Sequence, residues 1–238
     1  SWNIYRFSPV YTEFPLLAEE IKKIIQSEPE RQKIVVSVCG GSGVGKSETA
    51  SLLSFYLNDA GMGTYTMSGD NYPYRIPKYN DLERERVYAE EGEPGLRAYL
   101  GSEYEINFKE VNEILRLFHA GEDRIYLRRM GRTETALSYE LVDFSGINVL
   151  MLEWTHGNND NLRGIDVPVM LGSTPAETLA HRIARNRDGA PDSPFVTMVL
   201  GIEQDLLTSQ AHKAKIIISK QGEVISCDEY IRRVNESK

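Results

Sequence analysis

Eight consecutive residues carry the spacing of a phosphate-binding loop. The motif G-x-x-x-x-G-K-[ST] is matched at every fixed position by Gly40, Gly41, Ser42, Gly43, Val44, Gly45, Lys46 and Ser47. Glycines let the backbone turn its N–H groups towards a phosphate chain, while Lys46 is placed to reach the β- and γ-phosphates and the Ser47 hydroxyl to ligate Mg²⁺. We add the next residue, Glu48, to this set. The sequence therefore predicts a nucleoside triphosphate site, the alternative being a glycine-rich turn that binds nothing.

Two carboxylates follow predicted strands and could act at that site. Asp70 comes after the run 64–67, and Glu153 ends the apolar run 149–152. Because parallel strands bring their carboxyl ends to one edge of a sheet, we expect both side chains beside the γ-phosphate. Asp70 could take a proton from an acceptor hydroxyl, or it could only cap a turn. Glu153 could orient a Mg²⁺-bound water or contact the acceptor, so the choice of base between the two acids stays open.

A predicted helix further along the chain carries arginines that could also reach the phosphates. Residues 174–177, Thr-Pro-Ala-Glu, form a capping box with proline at the first helical position, which predicts a helix start. Helical spacing places Leu179 and Ile183 on the buried face, with Arg182 and Arg185 on the opposite, exposed face. These arginines could close over a triphosphate, or they could form a solvated basic face.

Strands and helices alternate along the rest of the chain, as in a parallel sheet covered on both faces. We predict a helix over 13–27, a helix after the phosphate loop that stops at 61–63, and a helix opened by the capping pair Asn107 and Glu110. The predicted strands are 34–38, 64–67, 147–152, 167–171 and 216–219. The expected fold is an α/β domain with a mostly parallel sheet.

One stretch, 71–105, interrupts this pattern. It is rich in tyrosine, proline and charge and has no clear apolar period. It is either a substrate-facing flap or an irregular surface excursion. The predicted organisation is an N-terminal helical extension over 1–33 and a nucleotide-binding domain over 34–238, with this flap and a lid over about 175–195.

Composition excludes several classes of partner and compartment. The 238 residues include 27 Lys and Arg against 35 Asp and Glu, and a net charge of −8 argues against binding to nucleic acid or to an anionic membrane surface. Two cysteines suggest neither a disulfide framework nor a zinc site. The start of the chain does not resemble a signal peptide, so we expect a cytoplasmic protein. Since the first residue is Ser1, we expect the natural N-terminus upstream.

Four motifs together resemble the uridine kinase and phosphoribulokinase family of P-loop kinases, which includes bacterial pantothenate kinases. The likeness spans about 34–220 and rests on 40–47, Ser-Gly-Asp-Asn-Tyr at 68–72, Leu-Met-Leu-Glu at 150–153, and Ala-His-Arg-Ile-Ala-Arg-Asn at 180–186. It implies a three-layer P-loop fold with a lid helix, Mg-ATP as phosphoryl donor, and Ser47 and Glu153 at the metal. It implies catalytic roles for Lys46, Asp70, Glu153, Arg182 and Arg185. Dimers or tetramers are common in the family.

Departures from the family affect the expected acceptor. Trp154 stands where the family usually has glycine, and Asn186 where uridine kinases have aspartate. The Tyr-Asp pair and His-x-Arg element that read a nucleoside are missing, and residues 126–132 read Tyr-Leu-Arg-Arg-Met-Gly-Arg instead. We predict that Arg128 and Arg132, with Asp70 and Tyr72, bind the acceptor, and that the two arginines favour an anionic group. Tyr72 could instead pack the flap.

The expected activity is transfer of the γ-phosphoryl group of Mg-ATP to a hydroxyl of a small metabolite. The resemblance allows a nucleoside, sugar, sugar phosphate or pantothenate-like acceptor. The alternative is a nucleotide-dependent sensor or ATPase that acts on a macromolecular partner. A GTPase is disfavoured because the guanine-reading segment Asn-Lys-x-Asp is absent from the sequence.

Overall fold

A mostly parallel sheet carries the phosphate loop in the computed structural model, which describes residues 10–27, 33–185 and 193–237. The described strands are β1 (Ile34–Gly40), β2 (Thr64–Ser68), β3 (Arg124–Arg129), β4 (Ser138–Asp143), β5 (Val149–Glu153), β6 (Val167–Leu171), β7 (Ile216–Ile218) and β8 (Val224–Ile225). Six of them pair in the order β2-β5-β1-β6-β7-β8, with only β8 antiparallel to its neighbour. β3 and β4 form a separate antiparallel hairpin.

Helices cover both faces of this sheet and complete three layers. The described helices are α1 (Val10–Gln26), α2 (Lys46–Asp59), α3 (Pro77–Tyr99), α4 (Phe108–His119), α5 (Pro175–Arg185), α6 (Pro194–Gln210) and α7 (Cys227–Glu236). Alternate residues of β1 point to opposite sides, as the pleat requires. Val36 and Val38 pack with Leu53 of α2, whereas Val35 packs with Phe118 of α4. The sheet is therefore buried on both faces, which explains its continuous apolar runs.

The predicted strands and caps are confirmed with small changes in their bounds. β6 has the predicted range, and the other predicted strands shift by one or two residues at an end. The side chain of Asn107 accepts a hydrogen bond from the Glu110 N–H at 3.1 Å and donates to the Glu110 carboxylate at 2.9 Å. Thr174 and Glu177 make the reciprocal contacts of a capping box at the start of α5.

The stretch 71–105 is helical over much of its length, so of its two interpretations the irregular excursion is wrong and the substrate-facing flap stays a prediction. α3 spans Pro77–Tyr99 and bends at Gly92, whose φ of 68° interrupts the helical geometry two residues before Pro94. The apolar period is missing because part of the inward face of α3 is polar. Asn80 and Arg84 both donate to the buried carboxylate of Glu105. A helix that packs through such groups leaves no hydrophobic stripe in the sequence.

No described helix is long and apolar enough to span a membrane. α1 packs against the α2 side of the sheet through Ile21, which is fully buried. The lid helix is described only to Arg185, so the remainder of the predicted lid, 186–192 and Asn186 within it, lies outside the described residues. The side chain of Arg185 lies outside them as well.

Candidate active site

The phosphate loop joins the end of β1 to the start of α2. Gly43 and Gly45 have φ values of 75° and 93°, a region that side chains other than glycine rarely adopt. A Cβ on Gly40 would lie 2.9 Å from the Leu171 carbonyl oxygen, so this position also requires glycine. Lys46 Nζ donates to the Gly41 carbonyl oxygen at 2.9 Å and thus curls over the loop. Together with the N-terminus of α2, the loop has the local geometry of an anion cradle.

Glu153 lies beside this loop at the carboxyl end of the sheet. The register of β5 with its neighbours places Glu153 opposite Val38 on one side and Ser68 on the other. Burial raises the pKa of Glu153, and the charge of Asp70 raises it further. Lys46 and a hydrogen bond with Ser47 oppose this shift. Lys46, Ser47 and Asp70 therefore all lie close enough to Glu153 to affect its charge, as expected from their positions in the sequence.

Asp70 is exposed on a single turn of 3-10 helix, Gly69–Asn71, directly after β2. Asn71 fixes that turn: its amide donates to the Ser68 carbonyl oxygen at 3.2 Å, and its Oδ1 accepts from the Met130 N–H at 2.9 Å. The second bond ties the turn to the end of β3. The carboxylate of Asp70 is thus held at the mouth of the site on a braced backbone.

Trp154 supports the same turn from below. It is buried, and a Cβ on Gly69 would lie only 2.0 Å from the Trp154 Cγ. The indole also contacts Phe108 and His156, with ring centroids 5.6 and 5.5 Å apart. The glycine at 69 and the tryptophan at 154 therefore fit each other, and this pairing accommodates the departure from the family pattern noted at Trp154.

Arg182 corrects the prediction for the lid helix. Its side chain is buried, and Nη1 donates to the Pro175 carbonyl oxygen at 2.7 Å and to Thr178 Oγ1 at 2.5 Å. Leu179 and Ile183, predicted to be buried, are instead 36% and 53% exposed. The inward face of α5 is polar because it rests on the backbone of the phosphate loop, where a hydrophobic stripe would leave polar groups unsatisfied.

The other predicted acceptor residues separate into buried and exposed positions. Tyr72 is fully buried and its hydroxyl accepts from the Arg128 N–H at 3.2 Å, so it packs under the hairpin and does not face an acceptor, which corrects its predicted role. Burial raises the pKa of Tyr72 to about 12. Arg128 is also buried and donates to the Pro73 carbonyl oxygen at 3.0 Å. Arg132 is exposed in the loop after β3.

Several buried polar residues near the site had no signal in the sequence. Glu105 accepts from Asn80 at 2.9 Å, from Arg84 Nε at 2.7 Å and from the Gly101 N–H at 2.7 Å. His156 is buried close by, since a Cβ on Gly101 would lie 3.0 Å from its Cε1. These groups are far apart in sequence, and only the fold brings them together.

The residues present fit a Mg²⁺ ion that arrives with its nucleotide. Among the described residues there is no group of three or more His, Cys, Asp or Glu side chains that could hold a metal by themselves. Ser47 and Glu153 supply a hydroxyl and a carboxylate, which are oxygen ligands that suit Mg²⁺. Mg²⁺ usually keeps few protein ligands and takes the rest from phosphates and water, so this donor set is sufficient.

Solved structures share this architecture at low sequence identity. A possible uridine kinase from Bacillus stearothermophilus superposes with a TM-score of 0.57 at 16% identity, covering 84% of this chain and 96% of that one. The phosphoribulokinase from Rhodobacter spheroides gives a TM-score of 0.57 at 18% identity, covering 79% and 70%. The chain has the fold of the uridine kinase and phosphoribulokinase group of P-loop kinases. D-glycerate 3-kinase from Cryptococcus neoformans var. grubii shares this fold with a TM-score of 0.57 at 15% identity, covering 88% and 98%.

One curated protein is much more similar to this chain in sequence than these solved structures are. The bifunctional alpha-galactosidase/sucrose kinase AgaSK of Mediterraneibacter gnavus is 50% identical over 208 residues, which are 87% of this chain. The chain spans only 22% of that protein's length. No protein-family profile matches the chain.

Proposed function

We propose that this chain is an ATP-dependent kinase that phosphorylates a hydroxyl group of a neutral sugar, with sucrose as the first acceptor to test. The observation that carries the proposal is the convergence of Asp70 and Glu153 on the phosphate loop beside Lys46 and Ser47. We choose sucrose as the first acceptor because the relative that is 50% identical is named a sucrose kinase as well as an alpha-galactosidase. The matched stretch has a P-loop kinase fold, so it corresponds to the kinase activity in that name.

The loop and lid would position the donor. The amides of the loop and Lys46 bind the phosphates, and Ser47 and Glu153 would hold Mg²⁺. When bound, Mg²⁺ neutralises charge on the β- and γ-phosphates. The stem of Arg182 lies against Gly43, and its guanidinium would add a positive charge beside the bound phosphates.

Asp70 is the better placed base of the two acids. It is exposed at the mouth of the site, whereas Glu153 is partly buried and bonded to Ser47. In the transfer, the acceptor oxygen forms a bond to the γ-phosphorus as the bond from that phosphorus to the bridging oxygen of ADP breaks. The acceptor proton passes to the Asp70 carboxylate.

A neutral acceptor suits the arginines better than the anionic one expected from sequence. Arg128 is buried and bonded to the Pro73 carbonyl oxygen, while Arg132 is exposed on a loop. A carboxylate or phosphate is bound strongly where a guanidinium offers two parallel N–H groups, and Arg128 already directs one of its N–H groups to the protein backbone.

The test is release of ADP from Mg-ATP in the presence of sucrose, fructose, glucose, uridine, pantothenate and glycerate, with mass spectrometry of the product. We expect a phosphorylated sugar, and Asp70→Asn is expected to lower turnover about 10²- to 10⁴-fold with nucleotide binding retained. Asp59→Asn is the matched control, because Asp59 is exposed at the far end of α2. Steady ATP hydrolysis that no acceptor stimulates would instead favour the nucleotide-dependent sensor or ATPase.

A further inference from the structure

A groove separate from the phosphate loop opens along α3. It has a volume of about 390 Å³, within the range of about 300 to 1,000 Å³ typical of small-molecule sites. Its lining includes Arg75, Glu83, Arg86, Glu91, Tyr99 and Tyr104. The two halves of α3 meet at the Gly92 bend, and both contribute to this lining.

The two halves of α3 are closely packed beside the bend. A Cβ on Gly95 would lie 2.2 Å from the Glu91 Cβ, which means that only glycine allows the second half of α3 to approach the first. Arg75 Nη1 donates to the Tyr99 hydroxyl at 3.2 Å, and its Nη2 lies 3.5 Å from Glu83. The Tyr99 hydroxyl in turn donates to Asn80 Oδ1 at 3.3 Å, which links the groove to the buried polar network under α3.

The chemistry of the lining suits a neutral polyhydroxylated ligand. Two guanidinium groups and two carboxylates line the groove, so their formal charges cancel, and an anion gains no net attraction there. A sugar hydroxyl both donates and accepts, so it can bond to a carboxylate and a guanidinium together. Tyr104 is 79% exposed and offers an aromatic face to the apolar C–H side of a sugar ring.

The groove lies on the same short segment as the candidate base. Asp70 and Arg75 are five residues apart, so at no more than about 3.6 Å per residue their Cα atoms lie within about 18 Å. The turn at Gly69–Asn71, closed by the Tyr72 N–H to Gly69 carbonyl bond at 3.0 Å, shortens this path. The segment 70–75 therefore connects the turn that carries Asp70 to the edge of the groove.

We propose that this groove is the second-ring subsite of a disaccharide acceptor, with Glu91, Arg75 and Tyr104 as its recognition residues. This inference rests on the proposed function, since it assumes a kinase that acts on a sugar. It assigns to α3 the preference for a disaccharide over a monosaccharide, while Asp70 and the phosphate loop carry out the transfer.

The experiment compares sucrose with fructose in wild type, Glu91→Gln and Tyr104→Ala, measuring KM for each sugar and for ATP. We expect each variant to raise KM for sucrose at least 10-fold, with KM for fructose and for ATP within 2-fold of wild type. Glu85→Gln, exposed on α3 outside the groove, and Phe55→Ala, exposed on α2, are the controls and should behave as wild type. Thermal unfolding of each variant verifies that it folds.

A KM for sucrose that stays within 2-fold of wild type in both groove variants would overturn the subsite while leaving the kinase proposal intact. If wild type phosphorylates no sugar at all, the proposed function fails. Calorimetric titration of sucrose into the nucleotide-free protein then tests separately whether the groove binds sucrose. Sucrose binding that both groove variants abolish supports the subsite, and no binding to wild type overturns it.

Discussion

The side chain of Arg182 lies directly against Gly43 of the phosphate loop, and a Cβ added at Gly43 would come within 3.1 Å of the Arg182 Cγ. The guanidinium donates to the Pro175 carbonyl oxygen and to Thr178 Oγ1 in the same helix. The lid helix therefore meets the loop through an arginine stem and not through an apolar residue. We expect this arrangement to place the arginine charge beside bound phosphates.

Replacing Arg182 with methionine tests that role. Methionine keeps much of the aliphatic stem over Gly43 but removes the charge, so we expect kcat/KM to fall about 10²- to 10³-fold, as when another preorganised electrostatic contact is lost. Steady-state kinetics measure this loss. Arg116→Met is the control, because Arg116 is exposed on α4 and pairs with Glu113 of the same helix. An Arg182→Met enzyme with wild-type kcat/KM would remove Arg182 from the catalytic set.

Lys46→Met should disable the donor site. The ammonium lies over the loop at Gly41, and its loss removes a contact to the transferring group worth about 3 to 4 kcal/mol. We expect kcat to fall at least 10²-fold. We also expect ATP to raise the Tm much less than in wild type, because ligand stabilisation depends on affinity. The same ATP-induced rise in Tm in both proteins, with unchanged kcat, would contradict the assignment of Lys46.

Gly69 and Trp154 should show strong coupling. Because a Cβ at position 69 would lie 2.0 Å from the Trp154 Cγ, Gly69→Ala should destabilise the fold by about 1 to 3 kcal/mol. It should also lower kcat by displacing Asp70. In a Trp154→Gly background the added methyl has room, so the further cost of Gly69→Ala should largely vanish. Urea unfolding of wild type, the two single variants and the double variant measures this coupling. If the two losses of unfolding free energy simply add, Gly69 and Trp154 are not coupled.

The Arg84 and Glu105 pair is expected to be important for stability. Burial pushes the pKa of Glu105 up, but Arg84, His156, the Gly101 N–H and Asn80 together bring it below the ordinary value. Arg84→Met would leave this carboxylate buried without its charge partner, a change that costs about 3 to 5 kcal/mol. Arg97→Met, which breaks exposed pairs with Glu93 and Asp205, should cost about 1 kcal/mol. Similar losses of unfolding free energy for Arg84→Met and Arg97→Met, measured with denaturant, would show that the buried pair is no more important than the exposed ones.

His156 should make the protein less stable in mild acid. Burial lowers the pKa of His156 to about 4, reinforced by Arg84 and Lys46 and opposed by Glu105 and Asp70. The unfolded chain protonates this histidine near pH 6.5, so between pH 6.5 and 4 the unfolded state binds more protons. Stability is therefore complete above pH 6.5 and falls as the pH drops towards 4.

Denaturant unfolding at pH 7 and pH 5 measures that loss. Wild type should lose about 2 kcal/mol more over this interval than His156→Asn, because a difference of one pKa unit corresponds to about 1.4 kcal/mol. His212→Asn serves as the control, since His212 is exposed. Equal pH dependence of wild type and His156→Asn would show that another group determines the acid sensitivity.

The phosphate loop, the parallel sheet and the helix caps could all be predicted from the amino-acid sequence. These features depend on local chemistry: a glycine pattern, continuous apolar runs, and side chains that bond to a backbone group three residues away. Asp70 and Glu153 could be placed for the same reason, because each follows a strand whose carboxyl end is fixed by the sheet.

The buried faces of α3 and α5 could not be predicted in this way, because they depend on contacts made in the folded protein. Both helices pack through polar groups, Asn80 and Arg84 in one and Arg182 in the other, so hydrophobic periodicity predicted no helix for the first and the wrong inward face for the second. The partners that make such burial favourable, Glu105 and the loop backbone at Gly43, are distant in sequence. A buried polar group is stabilised by its hydrogen-bond partners, and those are known only once the chain has folded.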